Sequence, residues 1–225
     1  RLAPRSTLII IPPLLSLTPQ PSSTDGYQLG ANDQWSKVSN FEQAVRIPLM
    51  IRVPGSPSMG KRTSALWEAV DLWPTLSDLA MGEAEVPPRC PDTLNASRAV
   101  MECVDGISAK PLFSNPSPTA SAAWKTCAIS QVPRGKLVNG EPGNVAGEEF
   151  MGYTVRVGTW RYTEWVGFDD TTGIADWSNI VGKELYPETL GVTTCAFDTD
   201  FANVVADPQH SAVVAQLSKL LRTIV

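Results

Sequence analysis

The chain has 225 residues, 43% of them hydrophobic and 8% aromatic, enough to bury a core in one or two domains. Its 18 basic and 23 acidic side chains leave a net charge of −5. No basic run exceeds the Lys61-Arg62 pair, which argues against nucleic acid as a partner.

From the start, the longest apolar stretch runs from Leu8 to Leu17, too short to span a bilayer and broken by Pro12 and Pro13. No membrane span is expected, and the proline pair also argues against a secretory signal core. The stretch PPLLSLTPQPSS at 12–23 is low in complexity, and its prolines suit no strand interior. Asp25 then reads as a turn residue before Gly26.

Residues 26–55, GYQLGANDQWSKVSNFEQAVRIPLMIRVPG, carry the most chemistry. Lys37 lies between Trp35 and Phe41, just before the sequence turns apolar, and a cation beside low-dielectric surroundings attracts an anion strongly. Taken alone it would be one more solvated lysine. The run IPLMIRV at 47–53, closed by Pro54-Gly55, has the pattern of a buried strand ending in a turn. A Ser/Pro/Gly linker follows to about Thr63.

Between Glu68 and Gly82, apolar residues at 69, 72, 73, 76, 79 and 80 give helical spacing and predict a core helix. Asp71 is placed to cap it, Pro74 falls in its first turn, and Gly82 stands where a left-handed C-terminal residue belongs. The cysteines at 90, 103, 127 and 195 allow three pairings if all are bridged. Asn95-Ala96-Ser97 is an N-glycosylation sequon in what reads as a polar loop. Residues 104–122, rich in Ser and Pro, read as a connector.

Beyond it strands dominate. One is expected at 127–131, then a hairpin in which Tyr153, Val155 and Val157 alternate on one arm and Trp160, Tyr162 and Glu164 on the other, across Gly158-Thr159. Residues 177–186 offer a further strand or strand pair. Apolar positions at 213, 214, 217, 220, 221 and 224 predict a closing amphipathic helix over 208–223. His210, the sole histidine, reads as a solvent-facing residue at its start, too little for a Ser-His-Asp triad. Together these elements predict a small antiparallel sheet carrying one helix.

Several of these words, in this order, resemble the sulfatase family. They are Tyr27, Leu29-Gly30 and Trp35-x-Lys37, then Phe41-Glu42, Arg46 to Leu49, Ile51 and Pro54-Gly55. Val70 to Ala80, Met151 to Arg156, Trp160 to Phe168, Glu184 to Tyr186 and Asp207-Pro208 match further family words, so the resemblance covers about residues 24–222. Val86 to Cys90 together with the hairpin words point to the iduronate-sulfatase branch. In that branch two cysteines bracket a loop after the same words, which implies a Cys90 to Cys103 bridge, worth ~3 kcal/mol through the unfolded state. With the sequon, such a bridge implies an oxidising compartment, lysosomal or secreted.

The resemblance implies the α/β, alkaline-phosphatase-like sulfatase fold. Residues 1–122 would be the C-terminal remnant of its catalytic domain, atypical over 1–23, and 123–225 a subdomain of antiparallel sheet and closing helix. It implies hydrolysis of sulfate esters on sulfated glycans, with Lys37 as the sulfate contact, Trp35 and Tyr27 beside the substrate, and Asp25 on the side of a calcium ion. In the family the nucleophile is a formylglycine made from Cys or Ser in a C/S-x-P/A-x-R motif. No Cys or Ser of this chain meets that pattern, and the usual Asp-His pair before Gly26 is reduced to Thr24-Asp25. The expectation is therefore a catalytically incomplete piece whose partner is the upstream part of the catalytic domain, or else a degenerate sulfatase-like binding module without turnover.

Overall fold

A computed structural model describes the backbone of residues 9–11, 16–18, 26–47, 49–91, 94–117, 124–135, 147, 149–187 and 202–225. The protein is mixed α/β and divides into two units, one holding 1–6, 21–48 and 129–225, the other 7–20 and 49–128.

The first unit is built on a four-stranded antiparallel sheet, order β5-β6-β7-β8, from Cys127–Arg134, Phe150–Val157, Trp160–Asp169 and Ile174–Pro187. The predicted hairpin is its centre: Tyr153 stands opposite Glu164, Val155 opposite Tyr162 and Val157 opposite Trp160. Because side chains alternate along a strand, Tyr153, Val155, Tyr162 and Glu164 share one face and Thr154, Arg156, Arg161 and Thr163 the other. All eight are buried, so both faces of the sheet are covered.

The closing helix α5, Ser211–Ile224, covers the first face with buried Leu217 and Leu221. A 3-10 turn at Pro208–His210 leads into it, where the Asp207 carboxylate accepts from the Gln209 amide at 2.9 Å and proline stands at the first position. His210 is half-buried and meets Trp160 edge-on at 5.1 Å, which corrects its reading as a solvent-facing residue. The ring covers the indole at the start of β7.

The second face is covered by the chain around α1, Glu42–Val45, which follows a short hairpin of β3, Gln28–Leu29, and β4, Trp35–Ser36. Phe41 packs edge-on against Tyr186 at 5.8 Å. Glu42 accepts from Arg161 and stands 3.6 Å from Arg156, with Arg46 at 3.4 Å one helical turn on. Words over a hundred residues apart in the sequence thus meet in one ion cluster.

In the second unit β1, Ile9–Ile11, pairs antiparallel with β2, Ser16–Thr18. A three-residue strand fits between Pro13 and Pro19, where the prolines had argued against any. Helix α2, Leu72–Ala80, forms where predicted but faces the wrong way for its apolar pattern. Trp73 is 60% exposed while Asp71 and Thr75 are fully buried.

The buried stripe of α2 is Asp71, Pro74, Thr75 and Asp78, and its polar atoms are satisfied by the incoming chain. Asp71 accepts from the Ile107 amide at 3.0 Å and pairs with Lys125, Thr75 from the Ala109 amide at 2.9 Å, and Asp78 from Ser108 at 2.7 Å and Lys110 at 2.6 Å. Burial raises the Asp78 pKa, and the bonds from Lys110 and Ser108 outweigh it, leaving the carboxyl below its usual range. Asp71 closes a capping box with Glu68 on the preceding 3-10 turn rather than capping α2. Gly82 has φ 103° but ψ 163°, extended rather than left-handed helical.

Three further expectations are corrected. Residues 47–53 form no strand among the described residues: Leu49, Ile51 and Val53 are half-buried and Met50 and Arg52 exposed, so the side chains alternate, but no neighbouring strand supplies a ladder. The connector at 104–122 contains α4, Lys110–Ser114, begun by proline in its first turn, whose Leu112 joins Ala109 and Trp124 in a small core against Trp67. The stretch between Cys90 and Cys103 is no open loop, since it carries α3, Leu94–Ala99, in which Leu94, Ala96, Arg98 and Ala99 are good helix formers, held between covalently joined ends.

Candidate functional site

The β3-β4 hairpin holds three of the residues singled out in the sequence. Only two residue pairs form its ladder, Gln28 with Ser36 and Leu29 with Trp35. The turn runs through Gly30 at φ 95° and a 3-10 turn over Ala31–Asp33, closed by the Gly30 amide on the Gln34 carbonyl at 2.9 Å. Asn32, Asp33 and Ser36 also have positive φ, at 54°, 53° and 79°, and no other non-glycine among the described residues does. Each such residue costs about 1 kcal/mol, so this hairpin is where backbone strain collects.

Buried polar ties offset that strain. Gln28 is turned inward, donating to the Ala31 carbonyl at 3.3 Å and accepting from the Ser39 hydroxyl at 2.7 Å. The Asn40 side-chain amide donates to the Gly152 carbonyl on β6 at 2.8 Å, and Arg134 from β5 donates to the Val38 carbonyl at 2.8 Å. Arg134 also stands over the Trp165 ring at 5.5 Å, and burial holds its pKa below the usual guanidinium range despite the opposing charge of Glu184. Gly26 donates to the Ala44 carbonyl at 2.9 Å, and a Cβ there would overlap the Gln43 carbonyl oxygen, which requires glycine at this crossing.

With Gln28 inward, the opposite side of the hairpin faces solvent. Tyr27 is 59% and Trp35 71% exposed, and Lys37 is exposed directly after the strained Ser36. Exposed aromatic rings and an ammonium group on one short hairpin are the residue types that suit an anionic ligand with an apolar ring face. Asp25, one residue before Gly26, lies outside the described residues. Among those described, no group of three or more His, Cys, Asp or Glu side chains is placed to hold a metal ion. Calcium takes six or more oxygens, and the described residues bring no such set together.

Away from the hairpin, Cys90 and Cys103 form the disulfide implied by the resemblance, with Cα atoms 4.8 Å apart. Asn95 is the second residue of α3, and its side chain lies outside the described residues. Cys127 is a free, half-buried thiol whose pKa is raised by burial and by Glu68, unfavourable for a nucleophile. Cys195 lies outside the described residues.

The ties that hold the hairpin, Gln28, Ser39 and Asn40, were not singled out in the sequence. A polar Ser-Asn pair just before an apolar aromatic was the only signal for them. No helix of the described residues is long and apolar enough to cross a membrane.

No family model matches the chain. It is 33% identical over 238 aligned positions to iduronate 2-sulfatase of Mus musculus, covering 87% of this chain and 39% of that protein. It is 29% identical over 195 positions to iduronate 2-sulfatase of Homo sapiens, covering 73% of this chain and 35% of that one. The chain is thus a distant relative of these sulfatases over most of its own length, and spans less than two fifths of theirs.

Proposed function

We propose that this chain carries the substrate-contacting edge of a sulfuric ester hydrolase of the iduronate 2-sulfatase type, acting on sulfated glycans. The observation that carries the reading is the strained, tied hairpin that holds Tyr27, Trp35 and Lys37 in solvent. A backbone held in unfavourable conformations by buried polar contacts is a feature that function, rather than stability, explains. In this reading the Lys37 ammonium binds the sulfate oxygens and stabilises charge that shifts onto them as the ester bond breaks, while Trp35 and Tyr27 orient the sugar. Asp25 would be this chain's ligand to the calcium ion of such an enzyme, in a site that is incomplete here. Formylglycine, when present, supplies the nucleophile, and this chain contains no precursor for it.

The remaining parts of the proposal are the alkaline-phosphatase-like fold, with 1–122 in the catalytic domain and 123–225 as its subdomain, and a lysosomal or secreted location. The alternation of half-buried and exposed residues at 49–53 without a ladder supports the first, since it is what a strand shows when its neighbours lie on other polypeptide. The disulfide supports the second. One observation favours the alternative of a non-catalytic sulfatase-like binding module: the missing C/S-x-P/A-x-R motif.

The test is a chimera in which residues 24–225 replace the matching segment of mouse iduronate 2-sulfatase. Release of sulfate from a fluorogenic iduronate 2-sulfate ester is expected from the chimera and not from the 225-residue chain alone. A folded chimera that binds a sulfated disaccharide without turning it over would establish the module instead.

A further inference from the structure

We propose that Arg134 is a specificity-determining residue of the hairpin site, binding the carboxylate of a uronic acid on the same sugar whose sulfate meets Lys37. The inference rests on the reading of Lys37 as the sulfate contact. Arg134 ends β5 and stands over the Trp165 ring at 5.5 Å, and its terminal nitrogens donate to the Pro133 and Val38 carbonyls at 3.1 and 2.8 Å. The bond to Val38 puts the guanidinium beside the residue that follows Lys37, within about 9 Å of the Lys37 Cα. One sugar ring with its substituents bridges such a gap.

Charge sets Arg134 apart from the other arginines of its unit. Arg46, Arg156 and Arg161 stand within ion-pair distance of Glu42, and Arg222 of Glu164. Among the described residues no carboxylate stands so close to Arg134, and Glu184, whose charge reaches it, accepts from the Trp165 indole at 2.9 Å. A half-buried cation without a close counter-charge is unfavourable, and burial accordingly lowers its pKa. An anion brought to it relieves that cost. The two carbonyls leave donors of the planar guanidinium unused, and such a fork pairs with a planar carboxylate through parallel bonds.

The place of this charge selects its occupant. A carboxylate on other polypeptide could serve an arginine anywhere on the sheet. Arg134 instead holds the arm of the strained hairpin that presents Trp35 and Lys37, so the group that satisfies it arrives with the ligand. The Trp165 ring beneath keeps the guanidinium in place until it does.

The experiment titrates three disaccharides into the full 225-residue chain by calorimetry. The first contains a 2-sulfated uronic acid, the second has its carboxyl reduced to an alcohol, and the third carries a further sulfate on that alcohol. The first is expected to bind about tenfold tighter than the second, the worth of one charge-assisted pair, and tighter than the third. Arg134→Gln should bring the ratio of the first two affinities to about one. A residue that merely tied Val38 would on removal weaken both probes and keep their ratio. Arg134→Lys, which keeps the charge without the fork, should keep part of the preference.

Equal affinity for the first two probes, or a ratio that survives Arg134→Gln, overturns the proposal and leaves the Lys37 reading standing, provided Lys37→Ala weakens all three. A third probe bound as tightly as the first assigns Arg134 to sulfate and overturns the carboxylate. Absence of binding, or binding indifferent to Lys37→Ala, ends the reading of the hairpin as the site and this proposal with it.

Discussion

Two hairpins of the same unit divide its work. The β6-β7 hairpin pairs eight residues on each arm, is buried on both faces, and has one positive φ at its turn, on Gly158. The β3-β4 hairpin pairs two, has positive φ at four residues of its turn and arm, and presents its aromatic rings to solvent. The first is stable by its own packing and ladder. The second has too few contacts to hold its own shape and takes it from the first, through Asn40 on Gly152 and Glu42 on Arg161. A site borrowed in this way can keep strained residues and exposed rings where chemistry needs them, because the cost is met elsewhere in the fold.

The sharpest test of this division is Lys37→Ala in the active chimera. Removing one charged contact to a sulfate in the assembled site of the chimera should lower kcat/KM by on the order of 10² to 10³, or ~3 to 4 kcal/mol, with the melting temperature unchanged. Lys61→Ala, in the linker, should leave activity near normal, since exposed charges contribute little. Equal behaviour of the two variants in folded enzyme would end the case for the hairpin as a site.

On the scaffold hairpin the largest effect is expected at Glu164, fully buried and accepting from Tyr162 at 2.6 Å, Ser218 at 2.6 Å and Arg222 at 2.8 Å, with Lys183 at 3.6 Å. Glu164→Ala should cost about 2 to 3 kcal/mol in denaturant unfolding. The cost stays below that of a fully buried pair, because the Arg222 and Lys183 side chains are 37% and 38% exposed and regain water. Burial raises the Glu164 pKa, but the bonds from Ser218 and Tyr162 and the charges of Arg222 and Lys183 outweigh it, leaving it below the ordinary 4.5.

Its contribution is therefore complete above pH 4.5, falls as the pH drops below that value, and is gone under Glu164's own lower pKa. Acid unfolding should show this loss in the parent chain and lack it in Glu164→Gln. A parent and variant with the same acid limb would remove the carboxylate from the account.

How much of this could be read in the sequence follows the same division. The β6-β7 hairpin was legible because strict alternation and a Gly158-Thr159 turn leave one register, and both partner strands lie in the chain. Helix α2 was legible as a helix but not in orientation, because its buried stripe is polar and the hydrophobic period pointed to Trp73. Asp71, Thr75 and Asp78 are buried by what they bond, and no local pattern records a partner thirty residues away. The site was legible only as wording around Lys37. Of its ties, Gln28 and Ser39 bond each other across the hairpin, and Asn40 depends on a strand more than a hundred residues on.

Asn40 joins the two hairpins, and Asn40→Ala should cost both at once. The Gly152 carbonyl loses a buried donor, a loss of about 1 to 2 kcal/mol by unfolding. Activity of the chimera should fall by the corresponding factor, about 5- to 30-fold, since the Lys37 arm leaves its anchor. Loss of stability with activity intact would mean that the sheet does not position the site.

The smallest effect is the most direct measure of strain. Ser36 sits at φ 79°, a conformation that a side chain with a Cβ resists and glycine accepts. Ser36→Gly removes a penalty of about 1 kcal/mol from the folded state, and gives part of it back because glycine has more freedom to lose on folding. A net gain of about 0.5 kcal/mol is expected, read as a small rise in the denaturant midpoint at constant slope. Asn32→Gly should gain less, since asparagine tolerates positive φ better than serine. In the chimera, the same Ser36→Gly change should weaken sulfate binding, because the residue that aims Lys37 now has other conformations open to it. A variant at once more stable and fully active would show that the positive φ is a local accident of the turn, with Lys37 held in place by the ties at Ser39 and Asn40 alone.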